Sequence, residues 1–276
     1  MINNSSQFRV IFFIFLCFLF ISCSEDSELE KKVELKDNIN TKYKTNLLIE
    51  DYTGAWCGWC PRVAYKIDDL WKITEKRISI VAIHNQDAFS FEKEKEMRDK
   101  YWESGYGFPT VMINRNKKWN EQYKVITDQI AISSPLGLAL ESSLKDRKLS
   151  LKIKVGFGYD FSSLKLVVYL TENGLIANQA NYAELGYGTA NPLQDFVHDN
   201  VLRVSLSDVF GDVIDSSISK NGEFYEKSYN YLIPNAYSLD SNIVAFVVDG
   251  SDRAVNSRFF STTGNEIENA KFQLAN

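Results

Sequence analysis

Two cysteines two residues apart, in Thr53-Gly54-Ala55-Trp56-Cys57-Gly58-Trp59-Cys60-Pro61, stand where an extended run gives way to a helical one. Before them, Asn46-Leu47-Leu48-Ile49-Glu50-Asp51-Tyr52 reads as a strand. After them, Val63, Ala64, Ile67, Leu70 and Trp71 recur at helical spacing as far as about residue 76, with Arg62, Lys66, Asp68 and Asp69 on the other faces. Pro61 falls in the first helical turn, where its missing N–H costs little. A strand that turns into a helix through C-x-x-C places sulfur at a helix N-terminus, where unpaired N–H groups and the macrodipole favour thiolate over thiol. Cys57 is then the candidate nucleophile toward a disulfide, and Cys60 the cysteine that resolves the mixed disulfide.

The N-terminus bears on what those cysteines can do. Residues 10–21 are uniformly apolar after Arg9, too short a run for the roughly 20 residues that span a bilayer, so residues 1–22 read as a signal peptide. Phe20-Ile21-Ser22-Cys23 resembles a bacterial lipobox, with Phe20 in place of the expected leucine. The resemblance implies lipidation at Cys23 and a membrane anchor there. Of the four cysteines, Cys17 leaves with the signal and Cys23 carries lipid, so Cys57 and Cys60 remain as one pair in an exported chain. A staple across so short a loop constrains the unfolded chain little, which makes a structural role weak. A zinc site of four cysteines fails for want of ligands, no metal is expected, and no cofactor is called for. Residues 23–44 are polar and charged and read as a tether. Their acidic start also resembles the surface-export signal of Bacteroidota lipoproteins. A net charge of -5 without a basic tract argues against nucleic-acid binding.

Downstream, residues 78–83 read as a second buried strand ending at His84, residues 91–103 as a helix, and residues 120–133 as another. Between the last two lies Gly107-Phe108-Pro109-Thr110-Val111, a proline leading into a strand. This order resembles a thioredoxin-like domain over residues 45–134. The resemblance implies a cis Phe108–Pro109 bond in a loop facing the cysteines. Pro109, with Phe108 and Thr110, would position substrate backbone. It also implies a buried acid six residues before Cys57. That is Asp51, which would exchange a proton with the resolving thiol, and Glu50 is the alternative. Trp56 and Trp59 would form an apolar lip for partly folded chains.

From residue 136 the period changes to two. Residues 149–155, 164–170, 201–206, 223–232, 243–248 and 256–261 read as strands, punctuated by Asn173-Gly174, Asn221-Gly222 and Asp249-Gly250. The expectation is an α/β thioredoxin-like domain followed by an all-β antiparallel sandwich, immunoglobulin-like, over residues 136–276. Residues 178–195, with Tyr182 and Tyr187, read as an outsized loop suited to protein or glycan contacts, or packed on itself.

The cysteine stretch, Glu172-Asn173-Gly174-Leu175-Ile176-Ala177-Asn178-Gln179 and His198-Asp199-Asn200-Val201-Leu202-Arg203 together resemble the Bacteroidota outer-membrane lipoprotein family named for a twenty-eight-kilodalton outer membrane protein. That resemblance implies an envelope location, on the periplasmic face or the cell surface. Two functions fit. One is a thiol–disulfide oxidoreductase whose partners are exported or surface proteins with thiols or disulfides, and a redox donor or acceptor. The other is a surface binding or adhesion lipoprotein with a passive disulfide.

Overall fold

The computed structural model describes residues 43–262 and 271–275. The signal segment at 1–22, the lipidation site Cys23 and the tether as far as residue 42 lie outside the described residues. The first half runs β1 (Leu47–Thr53), α1 (Cys60–Ile73), β2 (Ile78–His84), α2 (Glu94–Tyr101), β3 (Thr110–Ile113), β4 (Lys117–Lys118) and α3 (Tyr123–Ile130). β1 lies between β2, to which it is parallel, and β3, to which it is antiparallel. Every residue of β1 and β2 is buried, as both faces of a central strand require.

Strand alternation divides β1 into two sets with different fates. Leu47 and Ile49 pack under Val63, Ile67 and Leu70 of α1 and Ile126 of α3. Leu48 and Tyr52 point the other way, into a cluster with Val81, Ile83, Met97, Tyr169 and Phe246. Glu50, in the second set, would be an isolated buried charge. It is met by Arg115, whose Nη2 and Nε lie 2.9 and 3.0 Å from Glu50 Oε1.

The second half supplies β5 (Leu136–Lys145), β6 (Lys148–Phe157), β7 (Leu164–Glu172), β8 (Leu175–Gln179), β9 (Leu193–His198), β10 (Val201–Ser205), β11 (Asp212–Ile214), β12 (Phe224–Leu232), β13 (Ser241–Asp249) and β14 (Ala254–Ser261). Here the expected pairing of a thioredoxin-like α/β domain with a separate immunoglobulin-like sandwich is corrected. Strands of both halves share one nine-stranded sheet in the order β14-β13-β7-β10-β2-β1-β3-β4, with β11 also on β7. β10 makes the join. It is antiparallel to β7 and parallel to β2 through Val201 opposite Ala82, and Ala82 N–H donates to Asn200 O at 2.8 Å. The physical reason is the edge of β2. An apolar strand left bare there would expose a row of unpaired backbone groups, and the strand that covers it comes from the second half. Two sheets do stack, since β12-β6-β5 lays Leu138, Leu151 and Ile153 on Leu166, Val168 and Ala245. One layer of that stack is the same sheet that carries β1. The chain is mostly strand, with three helices among the described residues.

The end of the expected tether is part of this body. Tyr43 bridges to Ser134 and Leu274, and its ring is buried where Gly137 and Gly156 lack side chains. A Cβ on Gly137 would stand 2.2 Å from that ring. Gly137→Ala should therefore lower stability by about 1–3 kcal/mol in urea unfolding, the usual effect of overpacking.

Candidate functional site

Cys57 and Cys60 are joined in a disulfide. A tight turn presents them: Cys57 N–H donates to Gly54 O at 2.9 Å and Cys60 N–H to Cys57 O at 3.1 Å. α1 starts at Cys60, with Pro61 in its first turn, no side-chain cap and no acidic residue in that turn. The positive end of the helix therefore remains unneutralised beside the sulfurs. Both cysteines are nearly enclosed, at 3% and 2% exposure.

Asp51 follows Leu47 and Ile49 on the α1 side of β1, which brings it to the same cavity as Cys60. The cavity, about 80 Å³, is also lined by Ala82 and His84 of β2 and by Gln179 and His198. Burial pushes the Asp51 carboxyl up to about 7, and its Oδ1 has no hydrogen-bond partner. Glu50, the alternative acid, faces the opposite side of the sheet and is committed to Arg115.

The two histidines of the sequence, 114 positions apart, meet at the end of β2 with ring centroids 5.1 Å apart. His84 Nδ1 lies 2.7 Å from Asp87 Oδ2, which also accepts Ala55 N–H at 2.8 Å from the loop leading to the cysteines. Desolvation opposes ionisation of Asp87, but the hydrogen bonds from His84, Ala55 and Phe89 hold it below the usual carboxylate range. Burial, and then repulsion from His84, lowers His198 to about 4, so His198 is a neutral imidazole. Its Nε2 is unpartnered. Among the described residues, no three His, Cys, Asp or Glu side chains converge as a metal site.

The remaining expected residues separate. Trp56 and Trp59 are exposed at 46% and 51%. Phe108–Pro109 is a cis peptide, and Phe108 reaches the cysteine loop by an edge contact with Trp56, centroids 5.2 Å apart. Thr110 is buried and donates its hydroxyl to Gly107 O at 2.6 Å, so it braces its own loop.

Sequence reasoning missed what lies over the cysteines. The β8–β9 hairpin carries residues 180–192 across the start of α1 as a strap. Gln179 Nε2 donates to Cys57 O and Gly54 O at 3.0 and 3.3 Å, and Ala180 N–H to Ala55 O at 2.8 Å. Tyr182 N–H donates to Gly58 O at 2.7 Å. Further along α1, Tyr187 stacks edge-on against Tyr65 at 6.1 Å. Nothing local signals these contacts, beyond the unusual length of the loop itself.

Comparison with protein families matches residues 95–259 to the outer membrane protein Omp28 model. The chain belongs to the Omp28 family. The match takes in Phe108–Pro109, the strap and His198, and it begins after the cysteines. Among solved structures, this Omp28-family chain is similar to HBP35 of Porphyromonas gingivalis, with a TM-score of 0.65 and 20% identity over 82% of this chain and 78% of that one. It is also similar to protein AGR_C_4864 from Agrobacterium tumefaciens, with a TM-score of 0.53 and 10% identity over 79% and 95%. At such identities the likeness concerns the fold. No curated protein matches.

Proposed function

We propose that this outer membrane family member is a thiol–disulfide oxidoreductase, lipid-anchored through Cys23, acting on exported or surface proteins. The observation that carries the reading is the disulfide at an uncapped helix start, with Asp51, near pKa 7, lining the cavity behind Cys60. A dithiol client and the Cys57–Cys60 disulfide exchange in two steps. One client thiolate attacks Cys57 Sγ, the Cys57–Cys60 bond breaks, and its electron pair goes to Cys60 Sγ, which takes the Asp51 proton. The second client thiolate then attacks the client–Cys57 bond and releases Cys57 as a thiolate beside the helix start. The client leaves with a disulfide, the pair holds two electrons, and the proton that the second client thiol gives up on forming its thiolate reprotonates Asp51. Run backward, the same steps reduce a client. Pro109 and Phe108 position the client backbone, with Trp56 and Trp59 as an apolar lip. Thr110 holds that loop in shape.

Insulin reduction by dithiothreitol and refolding of a scrambled disulfide protein test this with the chain from Tyr43 onward. Wild type should turn over at least one of them, and Cys57→Ser should abolish turnover of both. No turnover of either, with Cys57 inert to alkylation after reduction, would remove the enzyme reading. The near-complete burial of both cysteines favours a second reading, a binding or adhesion lipoprotein with a passive disulfide. Binding and cellular phenotype unchanged in Cys57→Ser/Cys60→Ser would select it.

A further inference from the structure

Disulfide exchange needs an attacking sulfur to reach the bond, and access sets its rate as much as thiolate character does. Cys57 and Cys60 are nearly enclosed, and a segment of the chain itself is bonded to the loop that carries them. Ala180 and Tyr182, two residues apart just after β8, both turn their N–H groups onto the cysteine loop, at Ala55 O and Gly58 O. A bound peptide segment can present backbone donors of this kind to an exposed loop, its main-chain hydrogen bonds giving affinity and its side chains specificity. The Tyr182 ring occupies the space that Gly58 leaves. A Cβ on Gly58 would stand 2.3 Å from that ring, and Trp59 flanks it edge-on at 5.9 Å.

The cover is tied to the cysteine loop at Gln179, Ala180 and Tyr182 and to α1 at Tyr187, and it keeps its own shape. Tyr182 is 59% exposed, and Leu185 beyond it is exposed as well. Asn181 turns inward instead, donating from Nδ2 to Gly188 O and Ala190 O at 2.9 and 3.1 Å, while its N–H donates to Asn191 Oδ1 at 3.1 Å. These bonds run within the strap, so lifting it from the cysteines leaves them intact.

We propose that the strap is a built-in occupant of a peptide groove along Ala55–Gly58, and that it is displaced by an extended client segment carrying an aromatic side chain. The occupant reports the ligand's chemistry: backbone N–H donors two residues apart, and a planar ring for the space over Gly58 beside Trp59. This deepens the oxidoreductase reading and rests on it.

The test compares wild type with Gln179→Ala/Tyr182→Ala, both oxidised and starting at Tyr43. The rate at which dithiothreitol reduces Cys57–Cys60 is followed by thiol labelling. Loss of the Gln179 bonds and the ring contact should speed reduction about tenfold, as expected for hydrogen bonds of ordinary strength. A synthetic peptide, Gln-Ala-Asn-Tyr-Ala, added to the variant should slow reduction again, and the same peptide with alanine for tyrosine should not. Equal rates for wild type and variant would overturn the gate, and no protection by the tyrosine peptide would overturn the groove. Faster reduction in the variant, with neither protein exchanging its disulfide with client dithiols, would instead remove the oxidoreductase reading and leave the gate standing. Should the double variant fail to fold, hydrogen exchange in wild type decides. The Ala180 and Tyr182 amides should be protected, and fast exchange at both would overturn the proposal.

Discussion

Arg115→Ala is expected to remove about 3–5 kcal/mol of stability, the usual consequence of breaking a buried ion pair by deleting one partner. The Arg115 and Glu50 side chains have 0% exposure, and Arg115 also bonds Tyr101 Oη at 3.1 Å and Tyr169 Oη at 2.5 Å. Deletion leaves the Glu50 carboxyl without its partner in an apolar cluster between β1 and the strands of the second half. Lysine should not rescue, because its point charge cannot serve the carboxylate and the phenols through a planar fork. Replacing both members, as Glu50→Leu/Arg115→Met, should recover much of the loss, since the penalty lies in the orphaned charge. Urea unfolding of the three variants checks this. A loss under about 1 kcal/mol for Arg115→Ala would mean that the Glu50–Arg115 pair is not what holds this part of the interior together.

The second large effect is a pH-dependent gain at Asp51. Its pKa rises from 3.8 to about 7 on folding because of burial. Between those values the folded state keeps a proton that the unfolded state has released, so ionisation of Asp51 progressively lowers stability as pH rises, up to about 7, and the full cost persists above. Asp51→Asn cannot ionise. It should match wild type near pH 4 and exceed it at pH 8 by up to about 4 kcal/mol, from a shift of about three units at 1.36 kcal/mol each. The wild-type curve alone would hide this. His198, lowered to about 4, loses stability in the opposite direction, as pH falls below 6.5, and Asp87, held low, does so at still lower pH. Thermal unfolding of variant and wild type at pH 4, 6 and 8 isolates the difference. A constant difference across the three would rule out a buried, raised Asp51. The gain should come with slower exchange at Cys60, the trade expected where a strained group serves chemistry.

The elements around the cysteines are legible because their signals are local. Helical spacing from Val63 to Leu70 and the alternating residues of β6, β7 and β13 need no knowledge of a partner, and the structure has helices and strands there. The thioredoxin-like resemblance offers Asp51, with Glu50 as the alternative. What separates it from Glu50 is a residue 65 positions on, Arg115, that claims Glu50 for the other face. The merged sheet was not legible for the same kind of reason. The run at 201–206 announces a strand, but period two says nothing about which edge it covers. His84 reads as a strand end until the end of β9 places His198 against it. The 178–195 stretch stands out by length, while the acceptors of its hydrogen bonds to the cysteine loop are backbone carbonyls, which any sequence supplies.

The shared sheet also decides how this molecule can be taken apart. A fragment ending at residue 134 would retain Cys57, Cys60, Asp51 and Pro109, everything a motif search would ask for. It would lack β10 along β2, His198 at the cavity and the residues that roof the disulfide, and Tyr52, Val81 and Ile83 would lose their facing side chains Tyr169 and Phe246. The cysteine motif is therefore not a cassette that can be excised, swapped or assayed by itself. Its chemistry is a property of the chain's full length from Tyr43, and inheritance by fusion or truncation would have to carry both halves together.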